Sequence, residues 1–390
     1  MREYELTVTE TLAGIAPQEW NVLAGENPTL QWAWLQSMID AGCTTPETGW
    51  RPLLFTLWRD VSGHRALTGA LPLYLKGHSY GEYVFDWAWA EAYHRHGLDY
   101  YPKLLSAVPF TPCTGVRLMG RTDADRDVLL KGALALAREE EVSSLHVLFA
   151  NEAENAKWID AGLMARHSIQ FHWQNAGYAS FEQFLATMSH DKRKRIKQER
   201  RKVREAGITF RRVAGENICQ ADWDFFTACY SKTYREHRST PYLNRAFFGL
   251  MGERMADQLM LVLAERENQP IACALNLIGD GIIYGRYWGA KELHSGLHFE
   301  TCYYQAIEHA IEHRLSTIEG GAQGEHKLAR GFVPVRCHSA HWLKHPQFAR
   351  AVEEFLERER EGIVRYETEL ESSVPFRKSS TDAAIEAKTA

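Results

Sequence analysis

Apolar residues recur along this chain with two periods, and the change from one to the other marks its elements. Alternation and short apolar runs predict strands over Tyr4–Val8, Leu53–Trp58, Ala66–Leu75, Tyr80–Trp89, Ser144–Ala150 and His167–Gln174. A helical period joins Trp20 to Leu23, and groups Trp34, Leu35, Met38 and Ile39. A longer helix is predicted from a cap at Asp123 to Glu141, burying Val128, Leu129, Ala133, Leu136 and Ala137. Another follows over Glu152–Ala161.

The second half repeats this plan. Leu259–Glu265 and Ile271–Ile278 form a hairpin around Asn268-Gln269-Pro270, and Ile282–Ala290 is the next strand. Phe299, Tyr303, Ile307, Ala310 and Ile311 make one face of a helix over Phe299–Leu315. Thr317–Gly320 returns to the sheet, Cys337–Leu343 is a last strand, and His345–Glu361 is a charged helix. Ala70-Leu71-Pro72-Leu73 and Ala274-Leu275-Asn276-Leu277 occupy matching strands of the two meanders, each followed by an aromatic strand and a His-rich loop. The match points to an internal duplication of about 170 residues. The fold class is therefore α/β with mixed sheets, as two lobes with a cleft between them, where ligand sites gather. The expected division is 1–175 and 176–345 for the lobes, 346–370 for a C-terminal helix and 371–390 for a polar, disordered tail.

Composition narrows the class. The chain has 390 residues, 45% hydrophobic, enough for two cores. Its net charge of −5 means that any anion site must be a local patch. Seven Cys without paired spacing point to reduced thiols and a cytoplasmic protein. The opening MREYELTVTETL lacks the apolar core of a secretory leader, and no run is long and apolar enough for a membrane span.

The densest chemistry lies in Ile318–Arg336. Gly320, Gly321 and Gly324 allow left-handed backbone and close approach to a ligand. Glu325, His326, Lys327 and Arg330 follow, at the carboxyl end of a strand, where α/β sheets hold ligands. Glu325 or His326 is the candidate base. Lys327 and Arg330 would bind anionic groups, and amides of 320–324 an oxyanion. Arg286 and Trp288 on the preceding strand are cleft candidates. His298 and Glu300 either line the cleft or serve helix entry; Asp86, His94, Arg95 and His96 are candidates or simple loop polarity.

Nine Lys or Arg crowd a helix predicted between Ser189 and Gly207. Among them Lys192, Arg193, Arg195, Arg200 and Arg201 are candidate phosphate contacts for RNA, and the competing reading is a solvated linker helix. His309 and His313 have H-x-x-E-H spacing but are expected on a solvated face, so no metal site is assigned. The chain has no C-x-x-C, no phosphate-binding G-x-x-x-x-G-K-[ST] and no G-x-S-x-G.

YVFDWAWAEAYHRHGLDYYPKLLSAVPFTP, MSHDKRKRIKQERRKVREAG, YGRYWGA, HFETCYYQAIEHAIE and EGGAQGEHKLARGFVPVRCHSAHWL together resemble the FemAB-like N-acyltransferases. These are bacterial relatives of the Fem peptidyltransferases, associated with peptidoglycan biosynthesis, and the likeness spans about residues 5–365. It implies two tandem GNAT-like lobes, with a basic helical segment ahead of the second. It also implies an aminoacyl-tRNA donor and the amine of a cell-wall precursor as acceptor. The expected activity is transfer of an acyl or aminoacyl group to a small-molecule amine. Acyl-CoA and aminoacyl-tRNA both stay open as co-substrate, and no tightly bound cofactor is expected. The alternative is a non-catalytic binder of RNA or precursor on the same fold.

Overall fold

The computed structural model describes residues 4–322 and 324–376. Strand β1 (Glu5–Thr9), helices α1 (Pro17–Ala24) and α2 (Trp32–Asp40), and strands β2 (Trp50–Pro52), β3 (Leu54–Val61), β4 (His64–Leu71) and β5 (Tyr74–Lys76) come first. Next are α3 (Trp87–Arg95), β6 (Lys103–Ser106), β7 (Met119–Gly120), α4 (Asp123–Glu139), β8 (Ser144–Ala150), α5 (Glu152–Asp160) and β9 (Met164–Gln174). The second half opens with α6 (Phe181–Thr187), α7 (His190–Glu205), β10 (Ile208–Ala214), α8 (Gln220–Glu236) and α9 (Arg245–Arg254). It continues through β11 (Leu259–Arg266), β12 (Gln269–Gly279), β13 (Ile282–Ala290), α10 (Leu297–Phe299) and α11 (Gln305–Glu312). Strands β14 (Thr317–Ala322) and β15 (Val333–Leu343) and helix α12 (Pro346–Ser372) end it.

Each half holds an antiparallel meander and one parallel strand pair joined by a helical crossover: β6 with β8, and β13 with β14. This is the tandem GNAT-like architecture. The halves also exchange their last strands. Strand β9 leaves its own lobe to pair with β14, and β15 returns to pair with β8, while β9 and β15 pair with each other between them. One sheet of order β10-β11-β12-β13-β14-β9-β15-β8-β6-β5-β2 therefore runs through both lobes. A second sheet, β1-β3-β4-β7, packs under α4. Thr122, not Asp123, caps α4, in a capping box with Asp125. The helix then buries Leu129, Leu130, Ala133, Leu134 and Ala137 against Leu57, Leu71 and Val147.

Several sequence expectations change. The run Tyr80–Trp89 is not a strand. Gly81 and Tyr83 turn left-handed, and Trp89 and Tyr93, one helical turn apart, bury the inner face of α3. Pro72 ends the strand expected over Ala66–Leu75, and β5 crosses to the other sheet. The β11–β12 turn sits at Glu267-Asn268, both with positive φ, one residue earlier than expected. The single helix expected over Phe299–Leu315 starts at Leu297 and carries a π turn at Glu300–Tyr304. Helix α12 runs on to Ser372, past the expected start of the tail, and residues 377–390 lie outside the described residues.

Candidate functional site

Strands β13 and β14 pair in parallel through Ile282↔Thr317, Ile283↔Ile318 and Tyr284↔Glu319, and then part. Both deform where they separate. Against β12, β13 slips from Tyr287 to Gly285, which leaves Arg286 as a bulge residue. Against β9, β14 slips between Glu319 and Ala322, and Gly321 there takes φ 79°. The Gly320 and Gly321 carbonyls accept from Lys327 Nζ at 2.6 and 3.1 Å. A buried lysine thus satisfies carbonyls that the parted ladder leaves without strand partners.

The parting opens space on both sides. A cavity of 530 Å³ lies between the lobes, bounded by Tyr83, Phe110, Phe149, Arg166, Gln170 and Arg286 among others. A smaller chamber of 140 Å³ lies toward α10, bounded by Asn276, Trp288, His298, Cys302 and Tyr303. Gly285, Arg286, Tyr287 and Gly320 border both. Helix α12 closes one wall of the larger cavity with Glu359 and Ile363; Glu359 is held by both Arg166 Nε and Nη2, at 2.8 and 2.9 Å.

At the point of parting, Arg286 Nη2 donates to Glu319 Oε2 at 3.0 Å. Burial raises the Glu319 carboxyl above the usual range, against the pull of the guanidinium. Arg286 Nε is buried with no hydrogen-bond partner among the described residues. A donor left unmade in this way costs about 1–3 kcal/mol, which a ligand oxygen would recover. Burial holds the imidazoles of His298 and His172 near pKa 4, so both are neutral at pH 7.

The residues singled out in the sequence fall into three places. Arg286, Gly320 and Gly321 border the cavities, as do Trp288 and His298 on the smaller one. Lys327 stands directly behind Gly320, and burial, with Arg286 nearby, lowers its pKa to about 8. His326 is exposed and borders neither cavity, but its Nε2 lies 3.0 Å from Oη of Tyr303, which lines the small chamber. Gly324, with φ 117°, turns the chain into the 3₁₀ turn Glu325–Arg330.

The rest point elsewhere. Glu325 is exposed, and its carboxylate accepts from Tyr366 Oη at 2.6 Å. Arg330 is buried against Phe299 and ion-paired to Glu199 at 2.7 Å. Glu300 is buried and takes two bonds from Arg200, so both serve packing between α7 and the π turn at Glu300–Tyr304. Asp86 belongs to a buried cluster with Lys103 and Tyr100, and His94 on α3 and His96 just past its end are exposed. On α7, Lys192, Arg193, Arg195 and Arg201 remain wholly or partly exposed. His309 and His313 stack at 4.0 Å near Glu312, which Arg212 holds at 2.8 Å.

Sequence reasoning missed Glu319 and Gln170. Glu319 was legible as the carboxylate just before Gly320-Gly321, at a strand's end. Gln170 was not, because β9 reaches this site only through strand exchange.

No curated protein matches by sequence. Among solved structures, FemX superposes with a TM-score of 0.54 at 10% identity, over 87% of this chain and 98% of that one. L-PGS from Bacillus licheniformis gives 0.51 at 11%, over 87% and 97%. A conserved protein of unknown function from Bacteroides thetaiotaomicron gives 0.50 at 12%, over 87% and 100%. At these identities the likeness is one of fold. A family model described as peptidoglycan biosynthesis/recognition, FemAB-like, matches residues 11–378. The chain belongs to the FemAB-like family.

Proposed function

We propose that this protein is an N-acyltransferase, moving an acyl or aminoacyl group from an activated donor to an amine at the parting of β13 and β14. The observation that carries this reading is Arg286, which borders both the large and the small cavity with an unused Nε–H and is paired to the buried Glu319. In the reaction the amine nitrogen attacks the acyl carbonyl and a C–N bond forms. The amine's proton passes to the Glu319 carboxylate, whose raised pKa suits it as a base. Arg286 Nε–H meets the oxygen that becomes negative. The bond to the donor then breaks, and the leaving thiolate or ribose oxygen takes up a proton.

The N-terminal lobe lacks these groups. Counting from the last parallel pair, Val108 and Val147 stand where Arg286 and Glu319 do, which supports a reading with the chemistry in the C-terminal lobe. His326, exposed beside Tyr303, would act on the donor through that tyrosine, which lines the small chamber; Glu325, bonded to Tyr366, has no part. The exposed cations of α7 supply the charge that aminoacyl-tRNA needs. The acceptor is a small-molecule amine of the kind a cell-wall precursor carries, and the protein works in the cytoplasm. To test the reading, the chain is incubated with acyl-CoA and aminoacyl-tRNA pools and an amine acceptor, and the consumed donor is identified by mass. Consumption of one donor with a new amide supports it.

A non-catalytic binder is the second reading, favoured by the fact that Arg286 and Glu319 already engage each other. Salt-sensitive tRNA binding with no donor consumed would select it.

A further inference from the structure

The two lobes use the same place in their folds in opposite ways. The parallel pair ends at Ser106↔Val147 in one lobe and at Tyr284↔Glu319 in the other. Two residues on, β8 reaches Phe149 and β14 reaches Gly321, and both are left-handed, with φ 56° and 79°. Both lie in register slips against the exchanged strand: β8 between Leu148 and Ala150, β14 between Glu319 and Ala322. Glycine takes this backbone freely, whereas for a bulky residue it is strained. Phe110, across the N-terminal split, is also left-handed, at φ 56°.

Both phenylalanines are buried, and both line the 530 Å³ cavity. Strain of this sort persists where the side chain is needed and gathers at functional sites. Phe149 and Pro112 give the cavity apolar surface at the N-terminal split, while the Phe110 ring packs on Trp50 and Tyr242. The C-terminal split stays open because it holds glycine. A Cβ at Gly321 would meet Gly285 O at 3.8 Å and Arg286 Nη1 at 3.9 Å, so a side chain there would fill the space beside Arg286.

We propose that Phe149, with Pro112 beside it, forms the specificity wall of the cavity, so that the substrate group lying against the N-terminal lobe is uncharged and apolar, aliphatic or aromatic. The inference rests on the transferase reading for the role of that ligand as a substrate; the wall itself is a matter of shape. Removing the Phe149 ring opens the cavity into the N-terminal split and relieves the backbone.

The test titrates N-phenyl-1-naphthylamine, a neutral apolar fluorophore, into the full chain and into Phe149→Gly. The variant loses a buried ring and is expected to melt below the wild type, with the relieved backbone offsetting part of the loss, and to bind the probe about tenfold more tightly, through the apolar space opened. Phe149→Ala carries the same expectation if the glycine variant does not fold. Affinity within about twofold of wild type in a folded variant overturns the wall, since the added buried area would then be negligible. Transfer assays with acetyl, octanoyl and succinyl donors separate the two readings. A probe shift with no transfer by either protein keeps the wall and retires the transferase. Transfer by both proteins, with the same acyl preference and no probe shift, does the reverse.

Discussion

Arg286 Nη2 stands 3.0 Å from Glu319 Oε2 where β13 and β14 part, and the two side chains are 2% and 5% exposed. Desolvating two charges offsets most of their attraction, so a pair buried this deeply adds little net stability. The N-terminal lobe has valines at the corresponding places, Val108 and Val147, both buried. Its split is closed by phenylalanine, whereas the lobe with the ion pair has glycine there. Charge and open space thus occur together in one lobe, which is the pattern of a site rather than of a core.

Breaking the pair on one side leaves a buried charge uncompensated. Arg286→Met is expected to lower stability by about 3–5 kcal/mol in urea denaturation. Arg286→Met combined with Glu319→Met should recover most of that loss. Equal loss in the single and double variants would mean that the two charges do not interact as described.

The basic helix separates into two kinds of arginine. Reversing Lys192, Arg193 and Arg195 to Glu should weaken tRNA binding and reduce the slope of log K against log salt by about 0.7–0.9 for each phosphate no longer neutralised. Arg200→Ala should leave that slope unchanged and lower stability instead, because its guanidinium is committed to Glu300 and Glu308. Filter binding over a salt series, with thermal melts, distinguishes the two effects.

Lys327 makes stability depend on pH in the alkaline range. Burial lowers its folded pKa to about 8, well below that of an unfolded lysine. Between those values the unfolded chain binds the extra proton, so this group makes stability rise with pH, upward from about 8. Lys327→Met should remove that rise. It should also lower stability at pH 7, since the Gly320 and Gly321 carbonyls lose their donor. Melting curves of both proteins from neutral to alkaline pH provide the check.

Glu325 and His326 are neighbours with different surroundings. Glu325→Ala removes an exposed hydrogen bond to Tyr366 and should leave transfer within about twofold of wild type, as surface changes generally do. His326→Ala removes a group bonded to Tyr303, which lines the small chamber, and should raise KM for the donor more than it lowers kcat. Steady-state kinetics on both variants test the contrast, and a large loss in Glu325→Ala would return that residue to the candidate bases.

Local chemistry was legible in the sequence where it depended on local pattern. The glycine-rich run announced its turns, and Gly321, Gly324 and Gly331 all have positive φ. The amphipathic period marked α4 and α11 because each buries one face against a sheet. Tyr80–Trp89 misled because aromatic side chains suit strands as well as helix faces, and the helical spacing of Trp89 and Tyr93 extends past the run. The strand exchange was not legible. Whether β9 pairs with β8 or β14 is set by contacts across the whole chain, and no feature within Met164–Gln174 encodes it. That exchange brings Gln170 to Gly321 and makes the cavity a joint property of both lobes.

The most direct measurement is transfer by Arg286→Met/Glu319→Met, in the donor and acceptor mixture that the wild type converts. The folded double variant is expected to lose at least about 10²-fold in rate, the scale of a missing base and oxyanion donor. A folded double variant that keeps a rate close to that of the wild type would contradict the assignment of the chemistry to the parting of β13 and β14.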